Sequence, residues 1–160
     1  MGTTYRSFKE QLEFGMDGEK TIAQFLFQRE IVILPFFQFQ ASEKSPRLYT
    51  HDGASYALPD LLCAKDGGCF FVECKRKSRW ISYQGIIETG FCNYLLECYK
   101  FIQKQTGIRV FAVFLMETSE YNGMYLLDDI NKQGRLWDGL NRRTGSRIEN
   151  PIYLWEKKNL

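Results

Sequence analysis

Apolar and polar positions alternate along this chain with two different periods. Ile22, Ala23, Phe25, Leu26 and Phe27 form a broad apolar stripe near the helical repeat. The pattern predicts a helical N-terminus from about Tyr5 to Arg29, interrupted near Gly15–Gly18. Asp17 suits the N-cap of the second segment and Glu19 its first turn, because free N–H groups at a helix start favour acceptors and negative charge. Ile31–Gln40 is β-branched and aromatic and reads as a strand. Ala41–Ser55, rich in Ser, Pro, Asp and Gly without periodicity, reads as a loop. Two short apolar runs follow, Leu58–Ala64 and Cys69–Cys74, joined by the hairpin signal Lys65-Asp66-Gly67-Gly68. Tyr83–Gln105 has helical spacing in its second half, and Gly107 suits its C-terminal stop. Ile108–Met116 is almost wholly apolar, as expected of a strand covered on both faces. Met124–Leu127 and Pro151–Trp155 are weaker strand candidates, with a short helix or loop between them.

The order helix, strand, strand, strand, helix, strand (αβββαβ) is that of an α/β fold with helices packed on a central mixed sheet. A chain of 160 residues without repeats or low-complexity stretches is expected to form one domain. Its core spans about 17–116, and 117–160 is an extension completing the sheet.

Composition adds mainly exclusions. A net charge of +2 does not by itself argue for nucleic-acid binding, so any basic surface must come from local clustering. The cysteines are Cys63, Cys69, Cys74, Cys92 and Cys98; none is spaced as CxxC, and His51 is the sole histidine. A Cys/His zinc cluster therefore lacks its usual partners, and reduced thiols in a cytosolic protein are expected. Apolar runs such as Val110–Met116 are strand-length, too short to span a bilayer, and no signal peptide is recognisable. The expected location is the cytoplasm, with no membrane partner.

The chemistry concentrates on the hairpin. Asp60 starts the first arm directly after Pro59, and the second arm reads Phe70-Phe71-Val72-Glu73-Cys74-Lys75. Strand alternation puts Glu73 and Lys75 on one face and Val72 and Cys74 on the other. A turn near Gly67-Gly68 brings Asp60 alongside Glu73, so two carboxylates and an ammonium converge. Hydrolysing a phosphodiester requires neutralising its charge and supplying a nucleophilic water, and a hard divalent cation suits both tasks. Asp60 and Glu73 with the Cys74 carbonyl offer oxygens to such an ion, and Lys75 can orient water or stabilise the phosphate. The same residues also fit a turn-capping aspartate and a surface ion pair of small energetic consequence.

Pro59-Asp60, twelve residues, then Glu73-Cys74-Lys75 resembles the PD-(D/E)XK signature of the restriction-endonuclease-like superfamily. The pattern is most similar to that of Holliday-junction resolvases and other small stand-alone nucleases of that group. The resemblance covers roughly residues 17–116; the remainder, from Glu117, matches no pattern. It implies an α/β core with the motif on a strand hairpin, and a magnesium- or manganese-dependent nuclease acting on nucleic acid, DNA in the first instance. It implies that Asp60, Glu73 and the Cys74 carbonyl are metal ligands, that Lys75 is the catalytic lysine, and that Glu19 is an auxiliary acidic ligand. A homodimer follows by analogy, since two strands must be cut. The competing readings are a catalytically silent DNA-binding or assembly module on the same fold, and an RNA-directed nuclease.

Arg76, Lys77 and Arg79 follow the motif directly and are candidates for holding the DNA backbone, with Trp80 a candidate for stacking on a base. Gln84, Tyr94, Tyr99 and Lys100 read as core or surface helix residues, since the QxxxY spacing of the RecB-like branch is missing. Arg135, Arg142, Arg143 and Arg147 form a second basic region that suits a DNA-contacting or a solvated loop. His51-Asp52 reads as exposed loop, and Phe36-Phe37-Gln38-Phe39 as core and strand surface.

Overall fold

A computed structural model of the chain describes residues 8–34, 46–117, 123–138 and 151–160. Helix α1 (Phe8–Phe27) leads into β1 (Val32–Leu34), a hairpin of β2 (Arg47–Tyr49) and β3 (Ser55–Ala57), and a second hairpin of β4 (Leu61–Lys65) and β5 (Gly68–Lys77). A third hairpin, β6 (Ile81–Tyr83) and β7 (Ile86–Cys92), runs into helix α2 (Asn93–Thr106). Strands β8 (Arg109–Met116), β9 (Gly123–Leu127), β10 (Arg135–Trp137) and β11 (Ile152–Glu156) complete the described elements, with a short 3-10 turn at Lys157–Asn159.

The main sheet has the order β1-β4-β5-β8-β9. Its central pair, β5 and β8, is parallel, and every other pairing in it is antiparallel. Parallel neighbours need a long crossover, and β6, β7 and α2 together supply it. A second sheet, β10-β11-β7-β6, is wholly antiparallel. The main sheet therefore has a different cover on each face. Ile22, Ala23 and Leu26 of α1 pack on Leu61, Cys63, Val72, Cys74, Val113 and Leu115. On the other face, Leu96, Tyr99 and Ile102 of α2 join Phe91 and Trp155 of the second sheet over Phe71, Ala112, Phe114 and Met116. Strand β8 is buried on both faces, as its apolar run predicts.

Several sequence expectations are corrected. Helix α1 runs unbroken through Gly15–Gly18, and Asp17 lies inside it, its carbonyl accepting a hydrogen bond from the Thr21 hydroxyl at 2.9 Å. Gly18 marks close packing there, not a break: a Cβ on it would lie 2.5 Å from Cβ of Arg76 on β5. The stretch expected to be loop, Ala41–Ser55, contains β2, its turn and the first residue of β3, a hairpin whose partners share no apolar alternation in the sequence. The first half of Tyr83–Gln105 is strand, turned at Gln84-Gly85 with both φ angles positive (51° and 78°). Strand β10 lies in the region read as helix or loop. Gly107 does end α2, in the left-handed conformation and donating its N–H to Gln103. Residues 35–40, including Phe36-Phe37-Gln38-Phe39, lie outside the described residues, as do Arg142, Arg143 and Arg147.

Candidate active site

The turn Asp66-Gly67, with φ of 51° and 79°, is a two-residue connection whose handedness matches the twist of the strands it joins. It sets Lys65 opposite Gly68 and Leu61 opposite Val72. One residue further, Asp60 leaves the ladder beside Glu73, and its Oδ2 accepts the Cys74 N–H at 2.7 Å. Asp60 thus ends the β4–β5 pairing by taking the hydrogen bond that a further strand residue would have made. The N–H and C=O of a strand residue point to the same side, so the Cys74 carbonyl is directed toward Asp60 as well.

Glu73 projects to the α2 face and is 1% exposed, so the surface-pair reading does not hold. Its Oε2 accepts a hydrogen bond of 2.6 Å from the Tyr99 hydroxyl. Its Oε1 pairs with the Lys75 ammonium, two residues along on the same face. From the sequence, Tyr99 is an ordinary core or surface helix residue. It sits on the buried stripe of α2 with Leu96, Cys98 and Ile102. The signal that could have found it is that a buried tyrosine hydroxyl needs a partner, and Glu73 is the inward-facing polar residue of β5.

Electrostatically these groups are one unit. Burial pushes the Asp60 carboxyl well above the ordinary aspartate range, and the Glu73 charge adds to this; Lys75 opposes it. Burial also raises Glu19, against the pull of Lys75 and with Glu73 adding to the rise. Burial works against the Lys75 charge, but the Glu73 and Asp60 carboxylates more than offset it, and its pKa is raised, so it stays an ammonium. Burial, then Glu73, pushes Tyr99 far up, so it remains a phenol able to donate. The structure therefore brings Asp60, Glu73, Lys75, the Cys74 backbone and Glu19 into one field, from two strands and α1.

Among the described residues, no group of three or more His, Cys, Asp or Glu side chains forms a ready metal cage. The candidate oxygens have protein partners here: Lys75 and Tyr99 share the Glu73 oxygens, and the Cys74 N–H takes one oxygen of Asp60. The donor chemistry nevertheless fits a hard divalent ion. Every candidate ligand is oxygen, and Asp60, held up first by burial and then by the charge of Glu73, lies where a cation would favour its ionised form.

The basic residues divide by strand parity. Arg76 points to the α1 face, where its guanidinium meets Glu117 in two hydrogen bonds of 3.0 and 2.9 Å and approaches Asp17 at 4.0 Å. It ties α1 to the end of β8 and is directed away from Glu73 and Lys75. Lys77 shares their face and is half-buried; burial, then the Lys75 charge, lowers it to about 8. Arg79 is exposed beyond the end of β5. Trp80 packs edge-on against Tyr125 with ring centres 4.9 Å apart. Arg135 belongs to β10, and its guanidinium pairs with the buried Glu88 of β7, with a hydrogen bond of 3.2 Å to Oε1. It is a strut of the second sheet, which corrects its reading as part of a basic loop. His51-Asp52 is exposed in the β2–β3 turn, where Asp52 accepts the Ala54 N–H at 3.3 Å.

The element order and the two-faced mixed sheet define a restriction-endonuclease-like fold. No protein-family model and no curated protein matches the sequence. Among solved structures, the chain is similar to Archaeoglobus fulgidus Hjc, a Holliday junction resolvase from an archaeal hyperthermophile. The TM-score is 0.52 with 10% sequence identity, over 91% of this chain and 90% of that one. Among the described residues, no helix is long and apolar enough to cross a membrane, which says nothing of spanning by strands.

Proposed function

We propose that this protein is a divalent-metal-dependent endonuclease that hydrolyses DNA phosphodiester bonds. The observation behind the proposal is the meeting of Asp60, Glu73 and Lys75 at the end of the β4–β5 pairing, with Glu19 acting on all three electrostatically. The fold shared with a protein described as a Holliday junction resolvase supports this reading and makes branched DNA the first substrate to test.

In this reading Asp60, Glu73 and the Cys74 carbonyl hold magnesium or manganese, with Glu19 as auxiliary ligand. When bound, such an ion offsets the phosphate charge and makes water a better nucleophile. The chain's own contribution is orientation and charge. Lys75, an ammonium beside Glu73, orients the attacking water and stabilises charge developing on the phosphate oxygens. Lys77, on the same face, and Arg79, exposed beyond it, contact flanking phosphates. Cutting both strands calls for two such centres, which a homodimer would supply.

The test is a panel of linear, nicked, flap, four-way-junction and single-stranded DNA, with an RNA duplex alongside, in magnesium or manganese. Wild type is expected to cut at least one DNA form, and Asp60→Ala or Lys75→Ala to abolish cleavage with an unchanged circular-dichroism spectrum. Absence of cleavage of every form, with both variants binding DNA as wild type does, would sink the catalytic claim. The Lys75–Glu73 pair favours one second reading, a catalytically silent DNA-binding or assembly module, because a carboxylate neutralised by lysine needs no metal. Calorimetric titration with manganese separates the two, since the silent module binds none.

A further inference from the structure

Glu73 is buried and has two side-chain oxygens, and among the described residues each has one protein partner. Oε1 is taken by Lys75, which is 26% exposed and stands on a long flexible stem. Oε2 is taken by Tyr99, which is 2% exposed and held on a different element. The two partners differ in mobility. The Tyr99 ring packs among Phe91, Leu96, Ile102 and Phe114 in the core beneath α2, with the Phe91 ring centre 5.9 Å away. A lysine stem can swing toward solvent without disturbing any of them; a tyrosine in that position cannot.

We infer that Tyr99 is a positioning residue that fixes Glu73 by one oxygen, so that the other is presented to a cation which Lys75 serves in the ion's absence. The inference rests on the nuclease reading and adds a residue that the PD-(D/E)XK pattern does not contain. A carboxylate free to rotate in its pocket would meet an incoming ion in many orientations. One anchored through Oε2 leaves Oε1 and the adjacent Cys74 carbonyl on defined lines. Partners that orient a ligand in this way commonly change metal affinity tenfold to a hundredfold when removed.

Two variants separate positioning from mere support of the core. Tyr99→Phe removes the hydroxyl and keeps the ring. Phe91→Leu trims the packing beside that ring and leaves the hydroxyl in place. Manganese affinity is measured by calorimetry, the unfolding midpoint by thermal melts, and the manganese dependence of cleavage on the best substrate of the panel. Tyr99→Phe is expected to bind manganese about tenfold to a hundredfold more weakly and to need correspondingly more of it for half-maximal cleavage, with DNA affinity unchanged. Phe91→Leu is expected to lower the unfolding midpoint and leave manganese affinity as in wild type. Manganese affinity equal in Tyr99→Phe and wild type overturns the positioning role while leaving the nuclease reading intact. So does a loss of affinity in both variants that merely tracks their stability. A wild-type protein that binds no manganese at all overturns both, and that pattern is distinct from either of the others.

Discussion

Asp60 is placed where its folded environment opposes its own charge. Burial and the neighbouring Glu73 and Glu19 raise its pKa, while Lys75 and the Cys74 N–H only partly compensate. A carboxyl with a folded pKa above its unfolded value binds its proton more tightly in the native state. The stability this provides is present below the ordinary aspartate range, about 4, and is lost as pH rises through the raised value. Glu19 acts in the same direction. Metal-free protein is therefore expected to lose stability as pH rises above about 4 through the raised values of Asp60 and Glu19. Asp60→Asn, whose amide oxygen can still accept the Cys74 N–H, should flatten that slope and melt above wild type at pH 7, although inactive. Adding manganese should raise the wild-type midpoint and leave that of the variant where it was. Thermal melts across pH check this, and equal slopes for the two proteins would count against it.

At the scale of elements, the contact of α1 with β5 determines whether Glu19 reaches the site. Gly18 lets the helix lie close enough for Arg76 to bracket it, with Glu117 and Asp17 on either side. Gly18→Ala improves intrinsic helix propensity by close to 1 kcal/mol, but its Cβ would have to displace Arg76 Cβ, an atom with no freedom of its own. The expected outcome is net destabilisation of about 1–3 kcal/mol by denaturant unfolding. A fall in cleavage should accompany it, because Glu19 moves with the helix. A more stable protein with unchanged activity would contradict this account of the helix–strand contact. The second sheet is fixed in a comparable way, by the Arg135 guanidinium on buried Glu88 and by Trp155, whose indole N–H donates to the Lys132 carbonyl at 3.1 Å.

For the molecule as a whole, a net charge of +2 supplies no broad attraction for DNA, so the nuclease proposed above would draw its affinity from a few placed cations. Strand parity leaves Lys77 on the face of Glu73 and Lys75 and Arg79 exposed just beyond it, whereas Arg76 is engaged on the opposite face. Lys77→Ala and Arg79→Ala should each lower the slope of log affinity against log salt by about 1. Arg76→Ala should leave that slope unchanged while reducing stability. Filter-binding or fluorescence titrations at several salt concentrations check this, and a slope change confined to Arg76→Ala would reverse the assignment.

The sequence alone determined what depends on neighbours along the chain. The turn signal Lys65-Asp66-Gly67-Gly68 and strand alternation predicted the β4–β5 hairpin, and with it the approach of Asp60 to Glu73; the turn falls at Asp66-Gly67, one residue before the expected Gly67-Gly68. The unbroken apolar run of β8 and the Gly107 stop of α2 were legible for the same reason, since each is a local pattern with a local cause. The Gly18 contact, the Glu88–Arg135 strut and the pairing of β10 with β11 were not, because their causes lie in residues distant along the chain. The Tyr99–Glu73 hydrogen bond is the clearest case. Glu73 stands out in the sequence but Tyr99 does not, and only the packing of α2 over the main sheet buries that hydroxyl against Glu73 Oε2.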